Sequence, residues 1–377
     1  MRVLAIFGTR PEAIKMAPVV RALQATPGVA VRVCVTGQHR SMLDSVLQTF
    51  AIIPDDDLDV MSANQGLSEV FARILAGLDP ILASWRPDFV LVQGDTATCT
   101  AGAVAAYFRQ IRVGHVEAGL RTGNMASPFP EEGNRRIAAV VTDRHYAPTE
   151  RARLALLAEG HRDESIRVVG NTVIDALLHT TDLVGPERPL GRSLAAEFDW
   201  VDPNRRLILV TGHRRESFGG GFAGICDGLA EIGRRSDVQV VYPVHLNPNV
   251  RASVFDRLSD LPNVHLIEPL DYPRFVWLMG RAHLILTDSG GIQEEAPALC
   301  KPVLVMRDTT ERAEAVEAGV ARLVGTAPHD IVAGVTELLD QSGRYAAMAN
   351  GASPFGDGRS SGRIVDDLVA RMRSHAA

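Results

Sequence analysis

The sequence predicts an α/β protein with two Rossmann-like, doubly wound domains that face each other across a cleft. Short runs rich in valine, isoleucine and leucine alternate with longer amphipathic stretches along the whole chain. Continuous apolar strands separated by helices indicate parallel sheets that are covered on both faces. With 377 residues, the chain is longer than one hydrophobic core usually supports, so two domains are expected.

The predicted strands and helices alternate through both halves. The predicted strands are Val3–Phe7, Val31–Thr36, Phe89–Gln93, Val113–Val116, His145–Ala147, Ile166–Val169, Leu207–Thr211, Val238–Tyr242, Val264–Ile267, Leu284–Thr287, Val303–Met306 and Arg322–Val324. The predicted helices include Pro11–Leu23, Ser41–Phe50, Leu67–Trp85, Ala97–Arg109, Thr149–Glu159 and Gly290–Leu299. The periodicity breaks around Leu183–Asp202, where glycine and proline accumulate. We therefore expect domains over residues 1–185 and 186–360, with a C-terminal helix at about 361–377 that packs back on the first domain.

Composition and charge exclude several classes of protein. The net charge of -6 and the pI near 6.0 argue against a nucleic-acid binder, which usually carries a basic face. No apolar stretch approaches the roughly 20 residues that cross a bilayer, and the start has no signal-peptide layout. The four cysteines, Cys34, Cys99, Cys226 and Cys300, show neither metal-ligand spacing nor a disulfide framework. These observations favour a cytoplasmic enzyme.

Lysine is rare in this chain, and one lysine stands in a suggestive position. Lysine occurs only at positions 15 and 301, whereas arginine supplies the other side-chain cations apart from histidine. A retained lysine suggests a need for a compact ammonium group. Lys15 follows Arg10 and Pro11 at the start of the first predicted helix, where free amides attract anions. The segment lacks the dinucleotide and phosphate-loop patterns, so neither NAD nor ATP is supported, but an anionic ligand is expected.

Three carboxylates lie near strand ends of the first half. Asp95 and Glu117 follow the strands Phe89–Gln93 and Val113–Val116, and Glu131 lies farther along the chain. Asp95 could instead cap a helix, and Glu131 could lie in a first helical turn. Carboxylates after neighbouring parallel strands converge on one edge of the sheet, where repulsion and burial raise at least one pKa. Such a cluster can supply both an acid and a base.

A glycine- and arginine-rich loop opens the second half. It begins with Gly212 and His213 directly after the strand Leu207–Thr211. Glycines there allow the backbone to approach a ligand closely. A histidine on an apolar strand is more often structural, but the position of His213 at the mouth of this loop favours a functional role.

The strand Leu284–Thr287 leads into a pattern typical of a nucleoside-diphosphate site. Two glycines at the start of the next helix leave its amides accessible to phosphate oxygens. A glutamate one turn later could accept hydrogen bonds from ribose hydroxyls, and an arginine farther on adds a cation. A serine before the glycines could alternatively be an ordinary helix cap. These residues are Ser289, Gly290, Gly291, Glu295 and Arg312.

Taken together, these segments resemble the non-hydrolysing bacterial UDP-N-acetylglucosamine 2-epimerase family. The resemblance covers nearly the whole chain and includes Asp308–Arg312 and Phe355-Gly356-Asp357-Gly358. It implies a glycosyltransferase-B-like fold, a homodimer, and a substrate held in the cleft between the domains, with no redox cofactor and no metal. The segments that carry it are Gly8-Thr9-Arg10-Pro11-Glu12-Ala13-Ile14-Lys15, Gly94-Asp95-Thr96, Gly114-His115-Val116-Glu117-Ala118-Gly119-Leu120-Arg121, Gly212-His213-Arg214-Arg215-Glu216 and Asp288-Ser289-Gly290-Gly291 through Pro297.

The resemblance also implies roles for individual residues. Glu131 would be a further catalytic carboxylate, Phe275 would lie near the uracil, and Leu270, which replaces a glutamine of some members, would contact the uracil through its backbone. The residues that would contact the substrate or act on it are Arg10, Lys15, Asp95, Glu117, His213, Ser289, Gly290, Gly291, Glu295 and Arg312.

Two departures from the family pattern affect the expected site. Gln93 stands where a histidine is common, directly before the Gly-Asp pair, and could alter the setting of the aspartate. Some relatives bind a second, activating substrate molecule, and Gln38, His39 and Met42 resemble part of that site. Asn64 replaces an arginine that some of those relatives carry, so activation by a second substrate molecule stays an open question.

The chemistry implied by the resemblance is inversion at C2 of UDP-N-acetylglucosamine, giving UDP-N-acetylmannosamine. The C2 hydrogen has no neighbouring carbonyl group, so the expected route is elimination of UDP to 2-acetamidoglucal, followed by re-addition. Cations and helix amides would stabilise the departing UDP, and carboxylates would exchange the proton on both faces of the sugar. The assignment of carboxylates to faces stays open. The alternatives are a C2 epimerase of a UDP-diacetamido-uronic acid and a UDP-sugar glycosyltransferase.

Overall fold

The chain forms two compact units. The computed structural model describes residues 1–37, 40–62, 65–212 and 220–376. The first unit contains Met1–Ala176 and Phe355–Ala377, and the second contains Leu177–Pro354. The division falls within the helix Thr172–Leu183, nine residues before the boundary expected at residue 185.

The first unit, within the described residues, contains a seven-stranded parallel sheet flanked by helices. The strand order is β3-β2-β1-β4-β5-β6-β7. A 3₁₀ turn at Asp163–Ser165 precedes the last strand. The elements are β1 (Arg2–Phe7), α1 (Arg10–Gln24), β2 (Ala30–Val35), α2 (Arg40–Thr49), β3 (Asp56–Asp57), α3 (Leu67–Trp85), β4 (Phe89–Gln93), α4 (Ala97–Phe108), β5 (Arg112–Val116), α5 (Glu131–Val140), β6 (Arg144–Ala147), α6 (Glu150–Ala158), β7 (Ile166–Val168) and α7 (Thr172–Leu183).

The second unit repeats this plan with six parallel strands in the part of the chain that the structure describes. Their order is β10-β9-β8-β11-β12-β13. The elements are α8 (Pro189–Glu197), β8 (Arg206–Thr211), α9 (Gly220–Ile232), β9 (Val238–Pro243), α10 (Pro248–Leu258), β10 (Val264–Ile267), α11 (Tyr272–Arg281), β11 (Leu284–Thr287), α12 (Gly290–Ala298), β12 (Val303–Val305), α13 (Ala313–Glu317), β13 (Ala321–Leu323), α14 (Pro328–Asp340) and α15 (Ser342–Ala349). A final helix, α16 (Ser360–Ala376), belongs to the first unit.

Both strand orders are those of Rossmann folds, and the predicted fold class is confirmed. The central strands are buried on both faces: residues 3–7 of β1 and residues 207–210 of β8 are almost fully buried. Parallel strands that are covered on both sides need no polar alternation, which explains their continuous apolar sequences. The two-residue strand β3 was not predicted, because an Asp-Asp pair carries no strand signal. No helix among the described residues has the length and apolar character needed to cross a membrane.

The strand orders also locate the binding edge of each unit. Open α/β sheets bind ligands beyond the carboxyl ends of the strands, where the strand order reverses. In the first unit this point lies between β1 and β4, and in the second it lies between β8 and β11. The chemistry-bearing loops predicted from the sequence follow these four strands, together with β5.

Helix α16 packs on the first unit against α1 and is fixed there by a buried ion pair. The Asp367 carboxylate accepts hydrogen bonds from Nε of Arg144 at 2.7 Å and from the Tyr146 hydroxyl at 3.1 Å. Both members of the ion pair are more than nine-tenths buried. Asp175 accepts the backbone N–H groups of Ser360 and Ser361 at the start of the helix. The last segment of the chain is therefore a structural part of the first unit.

Replacing Asp367 by alanine should lower the free energy of unfolding by about 3 kcal/mol, because the buried Arg144 guanidinium loses its carboxylate partner. Urea unfolding of the full chain would measure this change. Asp366→Ala is the matched control, since Asp366 is exposed on the same helix, and it should cost less than about 0.5 kcal/mol. Equal losses in the two variants would contradict the role given to the ion pair.

Candidate active site

The loops after β1 and β4 are tied together by the buried carboxylate of Glu12. It accepts the backbone N–H groups of Gly8 at 3.0 Å and Thr9 at 2.8 Å, and the hydroxyl of Thr96 at 2.6 Å. Burial raises the pKa of Glu12, although these hydrogen bonds oppose the shift. Glu12 was not identified as a site residue from the sequence; the local signal that could have found it is a capping box, a threonine followed three residues later by a glutamate. Glu12 therefore fixes both loops at the switch point of the sheet.

Glu117 directly follows β5, and among the described residues three side chains donate hydrogen bonds to its carboxylate. The Lys15 ammonium is 2.5 Å from Oε1, the Asn171 amide is 2.9 Å from the same oxygen, and the Gln93 amide donates to Oε2. Glu117 is 8% exposed and has a φ of 64°, a strained backbone angle of the kind that clusters at functional sites. The cations predicted at the start of α1 thus lie at this edge, with Arg10 half-buried in the first turn.

Asp95 is held by an arginine of α5. Its Oδ2 is 2.6 Å from Nη2 of Arg135, and the same guanidinium lies 3.2 Å from the fully buried carboxylate of Glu132. Burial tends to raise the pKa of Glu132, but hydrogen bonds from the Thr122 backbone and from Arg135 lower it overall. The alternative that Asp95 caps α4 is wrong, because Thr96 is the N-cap and its side chain accepts the N–H of Cys99.

Glu131 opens α5, so its predicted place in a first helical turn is correct. Its Oε2 atom is nonetheless buried, and it has no hydrogen-bond partner in the described part of the chain. A buried carboxylate oxygen without a partner is costly in a folded protein. A buried carboxylate oxygen of this kind is typical of a group that binds a ligand. Glu131 also lies close in sequence to Glu132 and Arg135.

A buried histidine supports the loop that carries Asp95. Nε2 of His115 donates to the carbonyl of Gly94 at 2.7 Å, and Sγ of Cys99 lies 3.3 Å from the same carbonyl. Burial lowers the pKa of His115 to about 4. His145, its neighbour on β6, is also buried, and burial lowers its pKa to about 3.

In the second unit, α12 begins as the sequence predicts, with a start suited to phosphate. Ser289 occupies the N-cap position, but its side chain makes no capping hydrogen bond. Its backbone N–H donates to the Thr287 hydroxyl at 2.9 Å. A Cβ atom added at Gly290 would lie 3.5 Å from Cζ of Arg312. The first amides of α12 and the guanidinium of Arg312 therefore lie beside one another, which is a suitable arrangement for anionic oxygens.

A buried carboxylate holds Arg312, and a tyrosine hydroxyl holds Glu295. Oε1 of Glu294, which is 1% exposed, lies 2.6 Å from Nε of Arg312. The Tyr272 hydroxyl donates to Oε1 of Glu295 at 2.7 Å. Neither Glu294 nor Tyr272 was identified from the sequence, because their partners are distant along the chain and no local motif marks them.

Leu270 and Phe275 are the residues expected near a uracil. Leu270 lies just before helix α11, Phe275 lies within it, and both are half-buried. Leu270 lines a pocket of about 440 Å³ together with Phe198, Trp200 and Pro269. His213 lies outside the described residues, as do Gln38, His39 and Asn64, and the side chain of Met42 is not described either. Their predicted roles stay predictions.

Two Rossmann-type units in one chain, each with polar residues at its switch point, are the architecture of the glycosyltransferase-B-like fold class. A model of the UDP-N-acetylglucosamine 2-epimerase family matches residues 21–369. The UDP-N-acetylglucosamine 2-epimerase of Escherichia coli (strain K12) is 56% identical over 98% of this chain and 98% of its own. The enzyme of the same name from Campylobacter jejuni is 47% identical over 98% of this chain and 97% of its own.

Solved structures agree with these sequence comparisons. UDP-GlcNAc 2-epimerase from Neisseria meningitidis bound to UDP-GlcNAc matches with a TM-score of 0.92 and 47% identity, over 98% of this chain and 100% of that one. The enzyme from Methanocaldococcus jannaschii, in complex with UDP-GlcNAc and UDP, matches with a TM-score of 0.82 and 34% identity, over 98% and 100%. The chain belongs to the UDP-N-acetylglucosamine 2-epimerase family and is an epimerase. This confirms the resemblance found in the sequence.

Lowering the pH from 7 to 5 should reduce the free energy of unfolding of the protein. His115 should contribute about 2 kcal/mol to this loss, and His145 should contribute a similar amount. An unfolded histidine binds its proton near pH 6.5, whereas the folded side chains stay neutral down to about pH 4 and 3. The stability that these histidines contribute is therefore present above pH 6.5 and is lost as the pH falls. Urea titrations at the two pH values would measure the loss.

The variant His115→Gln keeps an N–H donor for Gly94 and should remove about 2 kcal/mol of this pH dependence. His329→Gln is the control, since His329 is 92% exposed, and it should leave the pH dependence unchanged. A wild-type stability that is flat between pH 7 and 5 would show that the histidines are not buried in the neutral form.

Proposed function

We propose that this enzyme interconverts UDP-N-acetylglucosamine and UDP-N-acetylmannosamine by eliminating UDP to 2-acetamidoglucal and adding it back. The observation that carries the proposal is the Glu117 carboxylate, which three N–H donors hold at the carboxyl edge of the first sheet. Hydrogen bonds to the charged form of a carboxylate favour that form. Glu117 is thus suited to accept a proton from C2 of the sugar.

The second unit supplies the nucleotide site in this proposal. The amides of Gly290 and Gly291 and the guanidinium of Arg312 bind the diphosphate and stabilise the charge that develops as UDP leaves. Glu295, oriented by Tyr272, accepts hydrogen bonds from the ribose hydroxyls. The uracil lies near Leu270 and Phe275.

Inversion at C2 also requires a group that protonates the glycal on the opposite face. Asp95 and Glu131 are the candidates for this step. Arg10 and Lys15 are assigned to substrate contacts, and His213 is assigned a catalytic role in stabilising the charge on the departing UDP. Asp95 is ion-paired with Arg135, whereas Glu131 has a buried oxygen without a hydrogen-bond partner among the described residues. Excluding water during both steps keeps the glycal from being lost.

Relatives that are 56% identical to this chain carry the name UDP-N-acetylglucosamine 2-epimerase, so the two alternatives, a UDP-diacetamido-uronic acid epimerase and a glycosyltransferase, are not favoured. The four cysteines are free thiols, which suits a reducing compartment, and we assign the enzyme to the cytoplasm.

We also assign the enzyme a homodimeric state. Four large apolar side chains on α4 and α5 support this assignment: Tyr107, Phe108, Ile137 and Val140 are each more than half exposed.

Incubation with UDP-N-acetylglucosamine in heavy water should give the manno isomer with deuterium at C2, as followed by NMR. Glu117→Gln should reduce kcat by at least about 100-fold, because the amide cannot accept the proton. UDP binding, measured by calorimetry, should be retained, since the nucleotide contacts lie in the second unit. Retention of the original C2 hydrogen in the product, or normal turnover by E117Q, would rule out the proposed route.

The double variant Phe108→Glu/Val140→Glu should convert the dimer into a monomer, because charges would be buried at an apolar interface. Light scattering coupled to gel filtration would measure the mass. Ile53→Glu is the control, since Ile53 is 85% exposed and lies on neither helix. A monomeric wild-type protein would disprove the dimer, and a dimeric double variant would disprove this interface.

A further inference from the structure

The loop between β7 and α7 carries a residue that the sequence did not single out. Asn171 is 2% exposed and precedes the first residue of α7. Resting on the proposed function, we propose that Asn171 is a positioning residue that holds Glu117 in the orientation and charge state of a general base. Asn171 does not itself contact the reacting atoms in this proposal and acts through Glu117.

The orientation of the Asn171 amide is set by the helix that follows. Its Oδ1 accepts the backbone N–H of Val173 at 3.1 Å, which caps α7. Nδ2 therefore faces Glu117 and donates to Oε1 at 2.9 Å. Rotating the amide would break the cap and would place a carbonyl oxygen against the carboxylate, so the donor is fixed in place.

The backbone of this loop is fixed in turn by the segment Phe355-Gly356. The N–H of Asn171 donates to the carbonyl of Phe355 at 2.6 Å. Gly170 and Gly356 face each other with φ angles of 91° and 127°, and a Cβ atom on Gly170 would lie 3.2 Å from Cα of Gly356. The two loop segments can approach this closely because both positions are glycine and carry no Cβ atom. The segment therefore has a role in holding Asn171.

The Asn171 contact matters because Glu117 is almost fully buried. An ionised carboxylate taken out of water needs hydrogen bonds or counter-charges. Lys15 supplies a charge, and Gln93 and Asn171 supply neutral amide donors. Asn171 shares Oε1 with Lys15, whose side chain has more rotatable bonds. Because the rotamer of Asn171 is fixed by the helix cap, it is the donor that keeps the carboxylate plane in position.

The decisive variant is Asn171→Asp, which keeps an oxygen for the N–H of Val173 but places a carboxylate against Glu117. Like charges raise the proton affinity of one of the pair, so the acidic limb of the kcat profile should move to higher pH by about one unit or more. We expect kcat at neutral pH to fall about tenfold or more, with little change in KM. Asn204→Asp is the matched control, because it makes the same charge change at an exposed turn of the second unit.

A second variant and a direct readout separate the possible outcomes. Asn171→Ser retains a hydroxyl that can cap α7 but cannot reach Glu117, and it should also lower kcat. Carbon-13 NMR of glutamate side-chain carboxyls, with the Glu117 signal assigned through Glu117→Gln, should show that protonation of Glu117 shifts to higher pH in N171D. This readout does not depend on turnover.

If the wild-type protein fails to epimerise UDP-N-acetylglucosamine while the carboxyl titration of N171D shifts as expected, the proposed function is wrong and the contact is real. If the wild-type enzyme is active but N171D and N171S keep its pH profile and its Glu117 titration, the positioning role is overturned.

Discussion

The site of the first unit depends on one constraint: the carboxylate of Glu117 is buried and must therefore be met by hydrogen-bond donors. A carboxylate removed from water is unfavourable unless donors replace its hydration. The donors here come from α1, from the last residue of β4 and from the loop after β7. The sheet order brings these segments to one edge, and the strained backbone of Glu117 turns its side chain toward them.

In both units, a buried carboxylate holds the side chain of an arginine. Glu132, which is fully buried, holds Arg135, and Arg135 in turn pairs with Asp95. In the second unit, Glu294 holds Arg312 beside the start of α12. An arginine whose rotamer is fixed in the free protein loses less entropy when an anionic ligand binds. In the proposed function, Glu132 and Glu294 therefore act by positioning the residues that bind the substrate.

Part of this site was predictable from local sequence. The carboxylates after β4 and β5, the two glycines that open α12, and Arg312 were identified because each follows an apolar strand or breaks a helical pattern. Glu294, Tyr272 and Asn171 were not, since each acts through a partner that is distant in sequence. The interpretation of Asp95 as a helix cap failed for a local reason: the next residue, Thr96, caps more directly.

The sequence by itself determined the two doubly wound sheets, because parallel strands covered on both faces require continuous apolar runs that are visible in one dimension. It also determined the family, through ordered motifs that extend along the whole chain. Only the tertiary structure decided which side chains hold Glu117, Asp95 and Arg312. Hydrogen bonds between residues 15, 93, 117 and 171 exist because the chain folds these positions together. Spacing along the chain carries no record of that convergence.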